Sequence, residues 1–285
     1  MASMDNKLVS ICVITYNSAE TVLDTLNSIK NQTYSPIELI ISDDNSTDST
    51  VSLVNEWLNN NSDFFVNTKF ITSEKNTGVT ANVNRACKAA NGYYIKDIAG
   101  DDSLLPEYIK KCVEYFETNP KTEILFTRVK FIDKNGQEVI RDDVNYKYFE
   151  LSAQEQFEYI TNFGVPSIPT PSVIYKRSTL EKLEWFDSRI PMWEDGPFYF
   201  KATKNGIKLY LNDFVGVNNG VFQSSISHLM SPRHKRSIAL FYFYYLKKHE
   251  KSFFIRIKNN IKFSLFYFSN IRCIDAFINS HLNRK

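Results

Sequence analysis

The first 120 residues alternate short apolar runs with amphipathic helical patterns. The apolar runs cover residues 8–14, 37–41, 64–71 and 93–98, and the helical patterns cover residues 19–30, 50–58 and 79–90. Strands that alternate with single helices are typical of βαβ crossovers, which produce a mostly parallel sheet. The pattern therefore predicts an α/β fold with a mixed, mostly parallel sheet flanked by helices.

A polar cluster follows each of the four predicted strands. These clusters are Thr15-Tyr16-Asn17, Asp43-Asp44, Asn76-Thr77-Gly78 and Asp101-Asp102. In open parallel sheets, ligands bind in the crevice outside the carboxyl ends of the strands. Because all four clusters lie at such ends, we expect them to line one pocket.

The adjacent acids Asp101 and Asp102 come directly after an apolar, β-rich run. Mg²⁺ and Mn²⁺ take oxygen ligands, usually from one or two carboxylates together with the phosphates of a substrate. An Asp-Asp-Ser sequence is also ordinary turn chemistry, so a surface turn is the alternative. The position at a strand end favours a metal site, and Gly100 leaves room for a ligand to come close.

Beyond residue 120 the pattern changes to shorter strands and loops. Asn135-Gly136 between two apolar runs predicts a β-hairpin. Capping-box spacing at Ser152–Glu155 and Ser178–Glu181 predicts two helix starts, and the hydroxyls of Ser46 and Thr47 are predicted caps of the helix at residue 50. The pattern predicts one domain over residues 1–228, with a first half (1–120) that carries the polar clusters and a second half (121–228) of shorter strands and loops on the same sheet.

Residues 229–285 form a separate basic, aromatic-rich tail that is predicted to be helical. Residues 233–285 contain 12 Lys/Arg against 2 Asp/Glu, a local charge of +10, whereas the rest of the chain carries −8. Such a segment can lie at a membrane interface and be attracted to anionic lipid. The alternative is that its rings pack on the catalytic body or on a partner chain, as in a homo-oligomer. The acidic body argues against nucleic-acid binding.

The bulk composition places the chain among globular proteins, with 43% hydrophobic and 23% charged residues. The sequence has no run of eighteen apolar residues and no export signal at its start. Its four cysteines are far apart, without a C-x-x-C pair, so neither a zinc site nor a disulfide framework is expected. A cytoplasmic location is predicted, with a peripheral position on the cytoplasmic face of the inner membrane if the tail binds lipid.

Four ordered motifs carry a family resemblance over about residues 8–220. They are Val9–Asn17 (VSICVITYN), Ser42–Asp48 (SDDNSTD), Asn76-x-Gly78, and Gly92–Ile95 leading to Asp101-Asp102. Together they resemble the family-two inverting glycosyltransferases of bacterial surface-polysaccharide type. The resemblance implies the GT-A fold, a Rossmann-like arrangement for nucleotide-diphospho-sugars.

The resemblance implies metal-assisted transfer of a hexosyl or N-acetylhexosaminyl group from a UDP-sugar to a hydroxyl of a glycan or lipid-linked acceptor. Asp102 matches the metal ligand of the DXD motif, for Mn²⁺ or Mg²⁺, with Asp101 and His228 as further candidate ligands. Asp44 matches the residue that accepts the imide N–H of uracil, whereas the neighbouring Asp43 is predicted to be a structural residue that caps a turn. The implied donor-binding residues are Thr15, Tyr16, Asn17, Asp44, Asn76, Gly78, Arg85 and Asp101. For Arg85, a role in steadying phosphate or a loop acid competes with a place on a solvated helix face.

Glu194-Asp195 resembles the family's Glu-Asp pair, which makes Asp195 the general base and Glu194 its supporting residue. An inverting displacement needs a base opposite the leaving group, and the start of a helix at Gly196-Pro197 favours an ionised carboxylate. The alternative is that Asp195 is a helix N-cap. Many members have an Arg or His within the segment that corresponds to residues 217–225, and this chain has none there.

Two other functions were weighed against glycosyl transfer. A metal-dependent nucleotidyltransferase also places acids at the ends of parallel strands, but it usually has a Gly-rich, basic loop after its first strand. Residues 15–21 contain no Gly, Lys or Arg, which counts against this alternative. A non-catalytic sugar-nucleotide-binding protein is the second alternative, and it would bind UDP without releasing it from a donor.

Overall fold

The computed structural model describes residues 7–133, 135–139, 143–221, 231–249 and 253–268. His228 and residues 269–285 lie outside these ranges. Nine strands form one sheet: β1 Val9–Thr15, β2 Ile37–Asp43, β3 Asn67–Thr72, β4 Tyr94–Ala99, β5 Asp102–Leu104, β6 Ile124–Asp133, β7 Glu138–Val139, β8 Ile174–Lys176 and β9 Leu209–Val221.

Nine α-helices accompany the sheet in the described ranges. They are α1 Val22–Lys30, α2 Thr50–Asn61, α3 Val79–Ala89, α4 Tyr108–Thr118, α5 Ala153–Phe163, α6 Arg177–Lys182, α7 Asp195–Lys204, α8 Pro232–Phe241 and α9 Phe253–Tyr267. The predicted order of strands and helices over the first 120 residues is confirmed, with boundaries that shift by one to three residues.

The strand order is β3-β2-β1-β4-β8-β6-β9-β5, with β7 paired to β6. Pairing is parallel from β3 through β2 and β1 to β4 and again between β6 and β9, whereas β8, β7 and β5 pair antiparallel. In the register of the parallel strands, Thr15 lies opposite Asp43 and Ile14 lies opposite Ala99. The carboxyl ends of β1, β2 and β4 therefore meet at one edge, as the sequence predicts.

Two hydrophobic cores cover the two faces of the sheet, because adjacent residues of a strand point to opposite sides. On β1, Ile11 and Val13 belong to the core beneath α1, α2 and α4, and Cys12 belongs to the core beneath α3, α5 and α7. Both cores are fully buried at these positions. The sheet is thus a rigid platform for the loops at its carboxyl edge.

Local sequence signals are confirmed at two places and wrong at two. The Asn135-Gly136 turn joins β6 to β7 as a hairpin, and Ser152 forms a reciprocal capping box with Glu155. The helix at residue 50 is not capped by Ser46 or Thr47, because the backbone N–H of Thr50 donates to Oδ1 of Asp48 at 3.0 Å. Ser178 lies inside α6, which begins at Arg177 and has no side-chain cap bond.

The first part of the tail packs on the catalytic body. Phe241 at the end of α8 is buried in the core beneath α7, where Tyr245 contacts Phe200 at a ring distance of 5.3 Å. This is the packing alternative of the sequence analysis, and it holds for α8 and the turn that follows it. Among the described residues, none of the helices has the length and apolar character needed to cross a membrane.

Candidate active site

The loops after β1 and β2 are held together by Asp43. Its Oδ2 accepts a hydrogen bond from Oγ1 of Thr15 at 2.8 Å, and its Oδ1 accepts one from the backbone N–H of Ser46 at 2.8 Å. Its side chain is fully buried. Asp43 is therefore a structural residue that fixes the turn after β2, as predicted.

Asn17 and Tyr16 have different roles in the loop after β1. Asn17 adopts a left-handed backbone conformation at φ 51°, its N–H donates to Oγ of Ser46 at 2.8 Å, and its Oδ1 accepts from the N–H of Thr47 at 2.8 Å. The Asn17 side chain thus ties two loops together. The Tyr16 side chain is 48% exposed and presents its ring at the sheet edge.

Asp44 is saturated with hydrogen bonds from the loop before α3. Its Oδ2 accepts from the N–H groups of Thr77 and Gly78 at 2.8 and 2.7 Å, and its Oδ1 accepts from the Thr77 hydroxyl at 2.5 Å. Arg85 completes the set at 3.2 Å from Oδ1. A carboxylate has about four lone-pair sites, so a uracil imide would have to share Asp44 with these donors.

Arg85 lies within hydrogen-bond distance of five polar groups, one of which is the carbonyl oxygen of Asp43 at 3.4 Å. Its guanidinium donates to Asp44, to the hydroxyl of Thr77 at 2.8 Å, to Oγ of Ser42 at 3.1 Å and to Oδ1 of Asn82 at 3.0 Å. Of the two roles considered for Arg85, the geometry supports steadying a loop acid. A planar guanidinium with five N–H donors suits such a bridging position.

The loop at residues 76–78 connects the carboxyl edge of the sheet to the segment that leads into α7. Gly78 has a φ of +92°, and a Cβ atom at this position would lie 2.8 Å from the carbonyl oxygen of Pro191. The next residues reinforce this contact, because Thr80 donates from its N–H to Pro191 at 3.1 Å and from its hydroxyl to Ile190 at 2.6 Å. Asn76 is exposed at the tip of this loop.

Asp101 and Asp102 follow β4 at the same edge. The Asp102 carboxylate is buried, and its Oδ1 accepts from Nδ2 of Asn219 at 2.6 Å and from the N–H of Gly220 at 3.1 Å. Burial, reinforced by the charge of Asp101, raises the pKa of Asp102 to about 8. Burial also raises the pKa of Asp101. The charge of Lys96 lowers the pKa of Asp102, but burial and the charge of Asp101 outweigh it, and a divalent cation fits such an environment.

The described residues contain no cluster of three or more His, Cys, Asp or Glu side chains that could enclose a metal by themselves. This agrees with a site that would share its ion with phosphate oxygens. Asn219 was not singled out in the sequence analysis, and it supplies the contact to Asp102 from the segment that lacks Arg and His. Asn219 is 117 residues from Asp102 in the chain, so no local signal could have revealed it.

Glu194 and Asp195 lie at the start of α7, where Asp195 is the first helical residue and Glu194 precedes it without a side-chain cap bond. Asp195 is therefore not the N-cap. Its Oδ1 accepts from the N–H of Gly196 at 2.7 Å, and the Thr170 side chain also bonds it. The predicted preference for the ionised form is outweighed by burial, which raises the pKa of Asp195. Burial and the charge of Asp195 raise the pKa of Glu194 to about 8.

The segment before these acids is held on its other side by α8. The N–H of Met192 donates to Oγ of Ser237 at 3.1 Å, and the Trp193 ring packs on Phe241 and His234 at ring distances of 5.1 and 6.4 Å. In the turn that follows α8, the Tyr245 hydroxyl donates to Oδ2 of Asp187 at 2.5 Å. The segment before Asp195 is therefore held by contacts with both α3 and α8.

The predicted residues at the ends of β1, β2 and β4 lie together at one edge of the sheet. Thr15 contacts Asp43, and a Cβ atom on Gly100 would lie 3.0 Å from the Thr15 methyl group, which brings the ends of β1, β2 and β4 together. Pro191 joins α7 to the loop at Gly78. The metal role of His228 concerns a residue outside the described ranges and stays a prediction.

Comparison with known proteins agrees with this architecture. Residues 10–184 match the sequence profile of Glycosyl transferase family 2. An uncharacterized glycosyltransferase of Methanocaldococcus jannaschii, MJ1057, is 30% identical over 212 residues, which cover 73% of this chain and 69% of that protein. A hyaluronan synthase of Pasteurella multocida is 30% identical over 142 residues, 50% of this chain but 14% of that protein.

A solved structure shares the fold across nearly the whole chain. TarS of S. aureus, residues 1–349 in complex with UDP-GlcNAc, superimposes with a TM-score of 0.62 at 21% identity and covers 93% of this chain and 74% of that one. The GT-A fold inferred from the sequence motifs is confirmed by this likeness and by the family match. The family match also sets aside the nucleotidyltransferase alternative.

Proposed function

Since the chain belongs to glycosyl transferase family 2 and is a glycosyltransferase, we propose that it transfers a sugar from a UDP-linked donor to an acceptor hydroxyl with inversion at the anomeric carbon. The acceptor is a glycan or a lipid-linked oligosaccharide. The observation that carries this proposal is the acid pair Asp101-Asp102 after β4, where burial outweighs the effect of Lys96 and raises the pKa of Asp102 to about 8.

The donor is proposed to bind across the carboxyl ends of β1, β2 and β4. The exposed ring of Tyr16 offers a face for the nucleobase, and such stacking is worth about 1–3 kcal/mol in nucleic-acid complexes. Asp44 and Arg85 shape the wall beside it through the loop at Thr77. The TarS structures that contain UDP and UDP-GlcNAc support a UDP-sugar as the donor class.

Mn²⁺ or Mg²⁺ is proposed to be held by Asp102, with Asp101 beside it. When bound, such an ion neutralises charge on the diphosphate leaving group. Asn219 and Gly220 orient the Asp102 carboxylate by donating to its Oδ1, which leaves Oδ2 for a ligand. This arrangement matches the rule that a coordinating carboxylate is itself fixed by hydrogen bonds.

Asp195 is proposed to take the proton of the acceptor hydroxyl. The hydroxyl oxygen then forms the bond to the anomeric carbon, and the bond from that carbon to the diphosphate breaks with its electron pair on the leaving group. A raised pKa suits this task, because a general base works best when its pKa lies near the working pH. Glu194 supports Asp195 or the acceptor by hydrogen bonding.

A panel of nucleotide sugars tests the proposal. The full chain is incubated with Mn²⁺ and UDP-, GDP- and CDP-linked sugars, and each is scored by thermal shift and by slow release of the nucleotide. We expect one UDP-sugar to raise the melting temperature and to be hydrolysed. Binding of UDP without any release, with every donor and with added glycan acceptors, would favour the non-catalytic alternative.

Membrane-surface binding is proposed for the part of the tail beyond α8. This proposal is supported by the +10 charge of residues 233–285. It is also supported by two exposed apolar side chains: Ile261 in α9 is 58% exposed, and Phe268 directly after α9 is 54% exposed. Anionic lipid attracts such a segment by about 1 kcal/mol for each basic residue near the surface. A peripheral location at the cytoplasmic membrane face and the lipid-linked acceptor class depend on it.

Sedimentation with lipid vesicles tests this proposal. We expect binding to vesicles that contain phosphatidylglycerol and little binding to neutral phosphatidylcholine vesicles, with release at high salt. An Ile261→Ser variant should bind more weakly, whereas Phe163→Ser, which changes a side chain that is 78% exposed on the body, should bind as the wild type. Equal binding to both vesicle types would contradict the proposal.

A further inference from the structure

Besides Glu194, Asp97 is an acid near the proposed base Asp195, and none of the sequence motifs points to it. It lies on β4 between Lys96 and Ile98, and successive strand residues face opposite sides of the sheet. Lys96 is fully buried on the side of α4, 5.8 Å from the Tyr108 ring centroid. Asp97 therefore faces the side of α7, which carries Glu194 and Asp195.

The Asp97 carboxylate has an oxygen without a protein partner. Its Oδ1 is buried, and it has no hydrogen-bond partner among the residues that the structure describes. The same holds for the hydroxyl of Tyr199, a fully buried residue one helical turn after Asp195. Leaving a buried polar atom unpaired costs about 1–3 kcal/mol, and more for a charged group. Two such atoms in one place call for a functional reason.

The surroundings of Asp195 concentrate negative charge. Asp97 raises the pKa of both Asp195 and Glu194, in each case after the larger effect of burial. Asp97 and Asp195 both raise the pKa of Tyr199, again after burial. The titratable groups that face Asp195 are Asp97 from β4, Tyr175 from β8, and Glu194 and Tyr199 from α7. From α8, His234 packs on Trp193.

The buried cation beside this cluster does not pair with it directly. The Lys96 ammonium donates to the carbonyl oxygens of Asp97 and Pro171, the second at 2.8 Å. Pro171 follows Thr170, whose side chain bonds Asp195. Lys96 therefore anchors the backbone on both sides of the base and leaves the Asp97 carboxylate to act on Asp195 through space.

This inference rests on the proposed function. We propose that Asp97 is a positioning residue for the general base: its carboxylate, on the α7 side of β4, strengthens the hold of Asp195 on the proton that it takes from the acceptor, and the Tyr199 hydroxyl orients the base. Asp97 makes and breaks no bond in the reaction. It acts through Asp195, which receives the acceptor proton as the new bond to the anomeric carbon forms.

An Asp97→Asn variant of the full chain tests the role of this charge. Transfer from the donor that the wild type uses is measured between pH 5 and pH 9. Removing a like charge lowers the pKa of Asp195, so the acidic limb of the rate profile should move to lower pH by roughly one unit. The weaker base should lower kcat several-fold on the plateau and leave KM for the donor unchanged. A structural defect would not move the pH limb.

Tyr199→Phe and Tyr148→Phe form a matched pair of controls. Tyr148 is also buried in this core, but its hydroxyl donates to the carbonyl of Gln156 at 3.1 Å. Tyr148→Phe should lower the melting temperature and keep the wild-type pH profile. Tyr199→Phe should melt like the wild type, because it loses an unpaired hydroxyl, and should lower kcat.

The outcomes separate this inference from the proposed function. If Asp97→Asn folds and keeps the wild-type pH profile and kcat, the inference is wrong and the proposed function stands. If Asp97→Asn does not fold, Tyr199→Phe decides, and an unchanged kcat overturns the inference. Absence of turnover by the wild type with every donor overturns the proposed function and the inference with it.

Discussion

The carboxylates at the end of β2 and those at the start of α7 differ in how their oxygens are hydrogen-bonded. Asp43 and Asp44 accept hydrogen bonds on both of their oxygens, from backbone N–H groups, hydroxyls and a guanidinium. Glu194 and Asp195 lie beside Asp97 in surroundings that raise the pKa of all three, and burial is the largest cause in each case. The first group of acids is fully hydrogen-bonded, whereas in the second group Asp97 has a buried oxygen without a partner among the described residues.

The difference separates structural acids from acids that are available to a ligand or a proton. A saturated carboxylate fixes the loops that donate to it, and removing it leaves those donors unpaired. An acid with a raised pKa binds a proton or a cation readily, which suits a base or a metal ligand. The acids of the motif Ser42–Asp48 thus fix the loops at the carboxyl edge of the sheet. The acids in and after β4 and at the start of α7 are the candidates for chemistry.

The largest effect is expected for Asp195→Asn. An amide cannot take the acceptor proton, so transfer should fall by about 10²–10⁴-fold, the usual contribution of a general base. Donor binding, measured as the thermal shift with the UDP-sugar, should stay near the wild-type value. The control is Glu107→Gln, which changes an exposed acid before α4 and should leave transfer unchanged. Transfer at the wild-type rate by Asp195→Asn would remove it as the base.

Asp44→Ala should give the largest loss of stability. Breaking a buried ion pair by removing one partner costs about 3–5 kcal/mol, because Arg85 would lose its anionic partner and the N–H groups of Thr77 and Gly78 would lose their acceptor. Denaturant unfolding measures this change. The matched control is Asp213→Ala, which breaks the exposed pair with Arg128 and should cost about 1 kcal/mol or less. Equal costs for the two variants would contradict the distinction between the two groups of acids.

The sequence predicted the platform well because its signals are local or periodic. The apolar runs ended in polar clusters, and parallel pairing brought Thr15, Asp43 and Ala99 to one edge. The capping box at Ser152 was readable because both partners lie within four residues. The roles of Asp43 and of the β6–β7 turn followed from the same kind of short-range chemistry.

Contacts between distant segments could not be predicted in the same way. Asn219 reaches Asp102 from another strand, and Ser237 of α8 holds Met192. Asp97 looks like an ordinary strand residue, and its relation to Asp195 depends on how α7 packs over β4. The cap at Thr50 was assigned to the wrong neighbour because Ser46 is engaged by Asp43, which leaves Asp48 to accept from Thr50.

Asn219→Ala should weaken the metal site without removing a ligand. Asn219 donates to Oδ1 of Asp102, and loss of such an outer partner typically costs about 10–100-fold in metal affinity. Calorimetry of UDP binding at increasing Mn²⁺ measures the change. Asn218→Ala is the control, because Asn218 is the neighbouring residue of β9 and faces the opposite side of the sheet. Equal Mn²⁺ dependence of both variants would show that Asn219 does not orient the ligand.

The smallest effect concerns stability as a function of pH in the presence of EDTA. Burial, followed by the charge of Asp195, raises the pKa of Glu194 to about 8 from an ordinary value of 4.5. The folded chain therefore holds this proton more tightly than the unfolded chain does, and the stabilisation is lost as the pH rises from about 5 to about 8. The melting temperature should fall across this range, since each unit by which the folded pKa exceeds the unfolded pKa corresponds to about 1.4 kcal/mol, and about 1 kcal/mol corresponds to roughly 2–4 °C in chains of comparable size.

Glu194→Gln and Asp187→Asn distinguish the two kinds of acid within this pH experiment. Glu194→Gln removes the titrating group, so its melting temperature should depend less on pH between 5 and 8. Despite its burial, hydrogen bonds from Arg189 and Tyr245 lower the pKa of Asp187 to about 2. Asp187 is therefore ionised throughout the range, and Asp187→Asn should lower the melting temperature by a similar amount at each pH. A slope that is the same in the wild type and in Glu194→Gln would place the titrating group elsewhere, with Asp102 and its raised pKa as the next acid to replace.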